Sequence, residues 1–208
     1  MAKWRFSLLL LVFVAGVSTA WFIHKPQEPE LATYYPVGRD LGTFTLTDAD
    51  GQPFTPASLQ GHWSFLFVGY TFCPDVCPTT LADLRSIYPD LKALDARSQV
   101  VFISADPQRD TPERLKSYVA FFQPEFKAAT APHADLFPFV RNLGLIYSIA
   151  DQGEKDYLID HSASIVLVNP QGQLQAIFRP ESAPGQVPHV VMKTMVSDFS
   201  RILTLAGN

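Results

Sequence analysis

The order of the strand and helix patterns predicts an α/β sandwich built on a central mixed β-sheet flanked by helices. Two nearly continuous apolar runs, WSFLFVGYT at 63–71 and VVFISA at 100–105, have the composition of strands buried on both faces, and each precedes a helical pattern. This β-helix-β order predicts a parallel half of the sheet. Two later apolar runs at 164–168 and 174–178 flank the turn Asn169–Gly172, which predicts a β-hairpin and therefore an antiparallel half.

Residues 1–24 differ in kind from the rest and predict a membrane helix. Lys3 and Arg5 precede 18 apolar or small residues at 6–23, which is near the lower limit for a membrane-spanning helix. These basic residues predict the N-terminus inside and the body of the chain exported. Small residues at Ser18–Ala20 also suit a cleaved secretory signal, but the apolar Trp21–Ile23 continue beyond them and favour a retained anchor. Both interpretations place the domain on the non-cytoplasmic side, in the periplasm or an equivalent compartment.

Residues 25–40 contain three prolines and no usable periodicity, so the sequence predicts a tether there and a folded domain over 41–208. The domain opens with a predicted hairpin. In this hairpin Phe44–Leu46 and a second strand that includes Phe54 flank the turn residues Asp48–Gly51.

The helices are predicted from apolar residues at helical spacing. The first runs from about Pro78 to Ala96, with its proline in the first turn, where the missing N–H costs nothing. The second begins at Asp110–Glu113, which combines a capping residue, an early proline and an acidic first turn. The remaining predicted elements are a short strand at 127–130, a helix at 134–143, an extended segment at 157–160 and a last helix at 187–205.

The charge of the chain excludes one class of partner. From Leu31 onward the sequence has 13 basic and 18 acidic residues, a net charge of −5. No basic stripe remains that could neutralise phosphate groups, which argues against a nucleic-acid-binding protein.

The only two cysteines, Cys73 and Cys77, lie together in TFCPDVCPTT, between the first buried strand and its helix. A disulfide that closes so short a loop contributes roughly 2 kcal/mol, less than it would across a longer loop, so a purely structural role is disfavoured. A helix N-terminus instead favours thiolate, which is both a nucleophile and a soft metal ligand, although the nearby Asp75 opposes that charge. The carboxyl ends of strands in open α/β sheets also commonly hold reactive groups.

Two thiolates make an incomplete metal site, and His161 is the best-placed third ligand among the five histidines. It immediately precedes the predicted strand at 164–168, whereas the other histidines are predicted to be surface or capping residues: His24, His62, His133 and His189. A lone histidine in such a position is more often structural than a ligand. The residues alone therefore leave its role open.

Three segments together resemble the Sco/SenC family of copper-handling proteins: TFCPDVCPTTL (71–81), SADPQRDTPERLKSY (104–118) and DHSASIVLVNPQG (160–172). They occur in the family's order, and the resemblance extends from about Val37 to the C-terminus. It implies a thioredoxin-like fold that binds one copper ion, as Cu(I), Cu(II) or both, through Cys73, Cys77 and His161. It also implies assistance to the copper-accepting subunit of cytochrome c oxidase in assembling the CuA site, by copper delivery, thiol reduction or both.

The same resemblance makes Asp160 a candidate for orienting the imidazole or tuning the charge of the site. The loop containing Asp106–Pro107 and Arg109–Thr111 is expected near the site, but a strand end and a helix cap explain it equally well. The chemistry of the ligands agrees with copper, because soft sulfur stabilises Cu(I) and nitrogen tolerates Cu(II). A structural zinc ion would normally require a fourth protein ligand.

The sequence leaves other functions open, although it predicts no conventional enzyme. The main alternative is a metal-independent thiol-disulfide oxidoreductase, with Cys73 as the attacking thiol and Cys77 as the resolving thiol. The C-x-x-x-C loop is one residue longer than the redox C-x-x-C motif, which favours chelation without excluding thiol exchange. A peroxidase would leave His161 unexplained, and a copper or redox sensor would use the same site.

Overall fold

The computed structural model describes residues 27–149, 157–181 and 188–207. The predicted membrane helix at 1–24 lies outside these ranges. Within them, no helix is both long enough and apolar enough to cross a bilayer.

The domain is built on an eight-stranded mixed sheet with the order β1-β10-β9-β4-β5-β6-β2-β3. The central strands β4, β5 and β6 are parallel, and every other neighbouring pair is antiparallel. The strands are β1 (Ala32–Asp40), β2 (Leu46–Asp48), β3 (Pro53–Phe54), β4 (Trp63–Gly69), β5 (Ser98–Ser104), β6 (Lys127–Thr130), β7 (Tyr147–Ile149), β8 (Ile159–His161), β9 (Ile165–Val168) and β10 (Gln173–Phe178). Strands β7 and β8 form a separate antiparallel pair. The predicted mixed sheet with a parallel and an antiparallel half is confirmed.

The helices connect and cover these strands. They are α1 (Val76–Leu94), α2 (Pro112–Phe122), α3 (His133–Asn142) and α4 (Met192–Ala206), with a short 3-10 helix at Pro56–Ser58. Helix α1 links β4 to β5 and packs against both α2 and α4. Helix α2 begins as predicted, because the Thr111 hydroxyl accepts a hydrogen bond from the Arg114 N–H and Pro112 occupies the first helical position.

The core joins the sheet to helix α4 through aromatic rings. Every residue of β4 and β5 is buried, as the continuous apolar runs predicted. The Phe65 ring of β4 lies 6.4 Å from Phe178 of β10 and 5.1 Å from Phe199 of α4, measured between ring centroids. These contacts fix α4 on the sheet and hold β4, whose end carries the cysteine loop.

Residues 32–40 are strand β1, whereas the sequence predicted an irregular tether over 25–40. This strand pairs antiparallel with β10, with an irregularity between Tyr34 and Arg39. The buried carboxylate of Asp198 accepts hydrogen bonds from the N–H groups of Glu30, Leu31 and Ala32 at 2.7, 2.7 and 3.1 Å. Because β1 is an edge strand, it tolerates Pro36, and its partners lie too far away along the chain for local periodicity to indicate them.

The last helix begins at Met192, later than the predicted start at 187. Residue 187 lies outside the described ranges, but 188–191 are not helical. His189 instead exchanges two backbone hydrogen bonds with Glu181, of 2.9 and 3.3 Å, and this tertiary pairing delays the helix.

Candidate metal centre

The cysteine loop connects the end of β4 to the start of α1. Gly69 ends the strand and Val76 begins the helix, so Cys77 lies in the first turn and Cys73 lies in the loop before it. Cys77 is fully buried and Cys73 is half-buried. The backbone N–H of Cys77 donates to the Cys73 sulfur across 3.4 Å, so one unpaired donor of the helix N-terminus is directed at that sulfur.

His161 reaches the two cysteines from β8, 84 residues further along the chain than Cys77. Its Nε2 lies 3.3 Å from the Cys77 sulfur, and its ring contacts Phe67 and Tyr70 edge-on. The two sulfurs and one imidazole nitrogen all lie within 4.8 Å of one another. The structure therefore brings together the three residues that the sequence singled out, in an arrangement that could hold a metal ion.

The two thiols differ sharply in acidity. The hydrogen bond with Cys77 is the main cause that lowers the pKa of Cys73 to about 4, and His161 contributes in the same direction against the effect of burial. Burial raises the pKa of Cys77, and its hydrogen bond to Cys73 adds to that rise. At neutral pH Cys73 is therefore a half-buried thiolate and Cys77 a buried thiol.

Gly69 makes room for the buried sulfur. A Cβ atom at this position would lie 2.7 Å from the Cys77 sulfur and 2.8 Å from a ring carbon of Phe102. Any larger residue at the end of β4 would displace the thiol that faces His161. Gly69 was not among the residues predicted for the site, although a glycine at the end of a buried strand is a recognised sign of close approach.

Comparison with known proteins places this site in a family. The SCO1/SenC family model matches residues 36–196. The chain belongs to the SCO1/SenC family. The predicted resemblance is thus confirmed over most of the described domain.

Individual SCO1/SenC relatives and structures agree with this membership. A protein from Stutzerimonas stutzeri whose name includes the words "copper-binding protein" is 39% identical over 145 residues, which cover 69% of this chain and 71% of that protein. The crystal structure of Arabidopsis thaliana ScoI with copper bound has a TM-score of 0.69 and 27% identity, covering 78% of this chain and 97% of that one. Yeast Sco1 with copper bound has a TM-score of 0.65 and 27% identity, covering 81% and 88%.

Asp160 is exposed on β8, next to the candidate ligand His161. The other imidazole nitrogen, Nδ1, lies 3.3 Å from the carbonyl oxygen of Ser162. The polar partner of Nδ1 is thus a backbone carbonyl and not the Asp160 carboxylate. A role for Asp160 in orienting the ring or tuning the charge stays a prediction.

The loop after β5 contacts Tyr157, which precedes β8. The buried carboxylate of Asp106 accepts hydrogen bonds from the Arg109 guanidinium and the Tyr157 hydroxyl. The Arg109 guanidinium also donates to the Tyr157 carbonyl at 2.9 Å and lies 3.6 Å from the centre of the Tyr157 ring. Because Tyr157 leads into β8, the expectation that this loop lies near the site is confirmed.

The other described histidines lie apart from the cysteines. His62 is placed against the carbonyl of Arg97, and the Nδ1 of His133 lies 2.9 Å from the Tyr147 hydroxyl. His189 is exposed beside α4. His24 falls outside the described residues.

Proposed function

We propose that this chain binds one copper ion through the sulfurs of Cys73 and Cys77 and the Nε2 of His161. The observation that carries the proposal is the convergence of these three atoms within 4.8 Å at the end of the sheet. Two sulfurs and one imidazole suit Cu(I) and tolerate Cu(II), and the copper-bound structures of related family members support the same metal. Copper is the cargo here, as either Cu(I) or Cu(II).

The proposed role is that of a membrane-tethered copper chaperone that serves the CuA site of cytochrome c oxidase. Residues 1–24 are the proposed anchor, with the domain on the non-cytoplasmic side. Delivery requires that an incoming ligand reach the metal, and Cys73 is half-buried rather than enclosed. Three protein ligands also leave coordination positions for a thiolate or imidazole of the copper-accepting subunit. The oxidase partner is the one that the family resemblance implies.

A copper titration of the reduced chain tests this proposal. The wild-type chain should bind one copper ion per molecule, and His161→Ala should bind it far more weakly in competition with a chelator. His189→Ala is the matched control, because it removes an exposed imidazole away from the cysteines. Equal affinity of the wild type and His161→Ala would refute the three-ligand site.

A second function is favoured by the unequal acidity of the two thiols. In a thiol-disulfide oxidoreductase, the Cys73 thiolate would attack a target disulfide, releasing one target thiolate and forming a mixed disulfide. Cys77 would then lose its proton and attack the Cys73 sulfur, which releases the second target thiolate. The target gains two electrons and the cysteine pair is oxidised.

The two functions separate in a metal-free assay. The reduced, copper-free chain is mixed with an oxidised CuA-site protein, and free target thiols are followed with time. Rapid reduction that Cys73→Ser abolishes would favour the oxidoreductase, whereas no reduction alongside stoichiometric copper binding would favour the chaperone. A sensor role for the same site stays a prediction.

A further inference from the structure

A buried carboxylate outside the ligand set holds the turn that presents Cys73. Asp110 lies at the start of α2, and its side chain is fully buried. It accepts three hydrogen bonds: from the backbone N–H of Thr71 at 3.0 Å, from the Thr71 hydroxyl at 2.5 Å and from the Ser104 hydroxyl at 2.6 Å. Since Ser104 ends β5, the carboxylate connects the end of one central strand to the loop that follows the other.

Thr71, which donates two of these hydrogen bonds to Asp110, is part of a tight turn. The N–H of Cys73 donates to the Tyr70 carbonyl at 3.2 Å, so Thr71 and Phe72 are the two central residues of a four-residue turn that ends at Cys73. Arg114 contacts both central residues of this turn. Its Nε donates to the Thr71 hydroxyl at 2.6 Å, and its guanidinium lies 3.9 Å from the centre of the Phe72 ring.

The two sulfurs are therefore positioned by different parts of the fold. Cys77 is fixed by α1 and by its close packing against the backbone of Gly69. Cys73 precedes the helix, and its place depends on the turn that Asp110 and Arg114 hold from α2. A preformed separation between the sulfurs needs both supports, because a loop that must be ordered on binding lowers affinity by the cost of ordering it.

We propose that Asp110 is a positioning residue that sets the separation of the Cys73 and Cys77 sulfurs and thereby the affinity of the site for copper. The effect on copper rests on the proposed function. The effect on sulfur separation is independent of it. Asp110 acts on Cys73 through Thr71 and makes no hydrogen bond to a ligand atom. Its negative charge adds to burial in raising the pKa of Cys77, and Thr71→Val leaves that charge in place. Its amide replacement offers one acceptor oxygen to three donors, so Asp110→Asn should loosen the turn.

The experiment compares the reduced full-length chain in detergent as wild type, Asp110→Asn and Thr71→Val. Thr71→Val keeps the backbone N–H but removes the hydroxyl that joins Arg114 to Asp110. Asp95→Asn is the matched control, because Asp95, like Asp110, accepts hydrogen bonds from a backbone N–H and from side-chain donors, but it lies at the opposite end of α1. Copper affinity is measured by chelator competition. Sulfur separation is measured without copper, by the affinity for a monosubstituted trivalent arsenical, which bridges two thiols.

Asp110→Asn should bind copper about 10- to 100-fold more weakly than wild type, the range typical of lost supporting contacts. It should also bind the arsenical more weakly by about tenfold, with Thr71→Val intermediate in both and Asp95→Asn unchanged. Equal affinities in wild type and Asp110→Asn, or equal losses in Asp95→Asn, would overturn the proposal. If Asp110→Asn does not fold, Thr71→Val decides: wild-type affinity for the arsenical overturns it. If the wild type fails to bind copper, the proposed function falls, and the arsenical series alone judges the positioning role.

Discussion

The close approach of β4 to the buried sulfur makes Gly69→Ala an informative perturbation. The backbone of Gly69 is not in the left-handed region, so alanine is allowed there and the cost is steric alone. Ordinary contacts begin near 3.4 Å, whereas the new Cβ would lie 2.7 Å from the Cys77 sulfur, so the sulfur must recede by about 0.7 Å. Overpacking of this kind typically costs about 1–3 kcal/mol of unfolding free energy. We expect the same shift to weaken copper binding by about tenfold.

A double-mutant cycle with Cys77→Ala isolates the sulfur contact from the second contact, with Phe102. Urea unfolding gives the free energy of unfolding of the wild type, both single variants and the double variant. The cost of Gly69→Ala should shrink by about 1 kcal/mol or more once the sulfur is gone, because interacting neighbours are not additive. Additive costs, or unaltered copper affinity in Gly69→Ala, would show that the close approach of Gly69 does not position Cys77.

Three further predictions concern acidity and stability. Iodoacetamide should modify Cys73 well before Cys77, and mass spectrometry would locate the adduct. Because the pKa of Cys73 is lowered to about 4, its modification rate should stay constant down to about pH 5 and fall only near pH 4. A rate that already decreases as the pH drops below 8 would contradict the lowered pKa. Asp198→Ala should lower the free energy of unfolding in urea by about 2–4 kcal/mol, because three backbone N–H groups and Arg201 lose their acceptor. The copper stoichiometry should not change. A cost below about 0.5 kcal/mol would show that pairing with β10 is enough to hold β1. Thr111→Ala should cost about 1 kcal/mol in the same assay through loss of the helix cap, and an unchanged urea midpoint would show that the cap is dispensable.

The elements that local patterns specify were predictable from sequence. Strands β4 and β5 followed from apolar runs, and the start of α2 followed from its capping residue and proline. Elements held by distant partners were not predictable in this way. Strand β1 depends on β10 and on Asp198, more than 130 residues away, and its alternation is interrupted by Pro36 and by an irregular register. The ribbon of β7 and β8 was only partly foreseen, as an extended segment at 157–160.

The site shows the same division. The cysteines stood out by spacing and position, and His161 stood out once the matched segments were considered together. The split in acidity could not be read from the sequence, because it arises from the burial of Cys77 and its hydrogen bond with Cys73. Asp110 was expected only as part of the segment Asp110–Glu113 that begins a helix. Its hold on Thr71 depends on the parallel pairing of β4 with β5, which places the two loops side by side.

The 84-residue separation between Cys77 and His161 has a consequence for when the site can exist. A newly made chain that has not yet formed the β7–β8 ribbon can offer a metal ion only the neighbouring thiols. The complete ligand set exists only once β8 has brought His161 to the cysteine loop. Copper held by all three ligands would then favour the folded chain, by about 2.7 kcal/mol when its free concentration is 100 times the dissociation constant. Copper bound through all three residues would thus report that folding is complete.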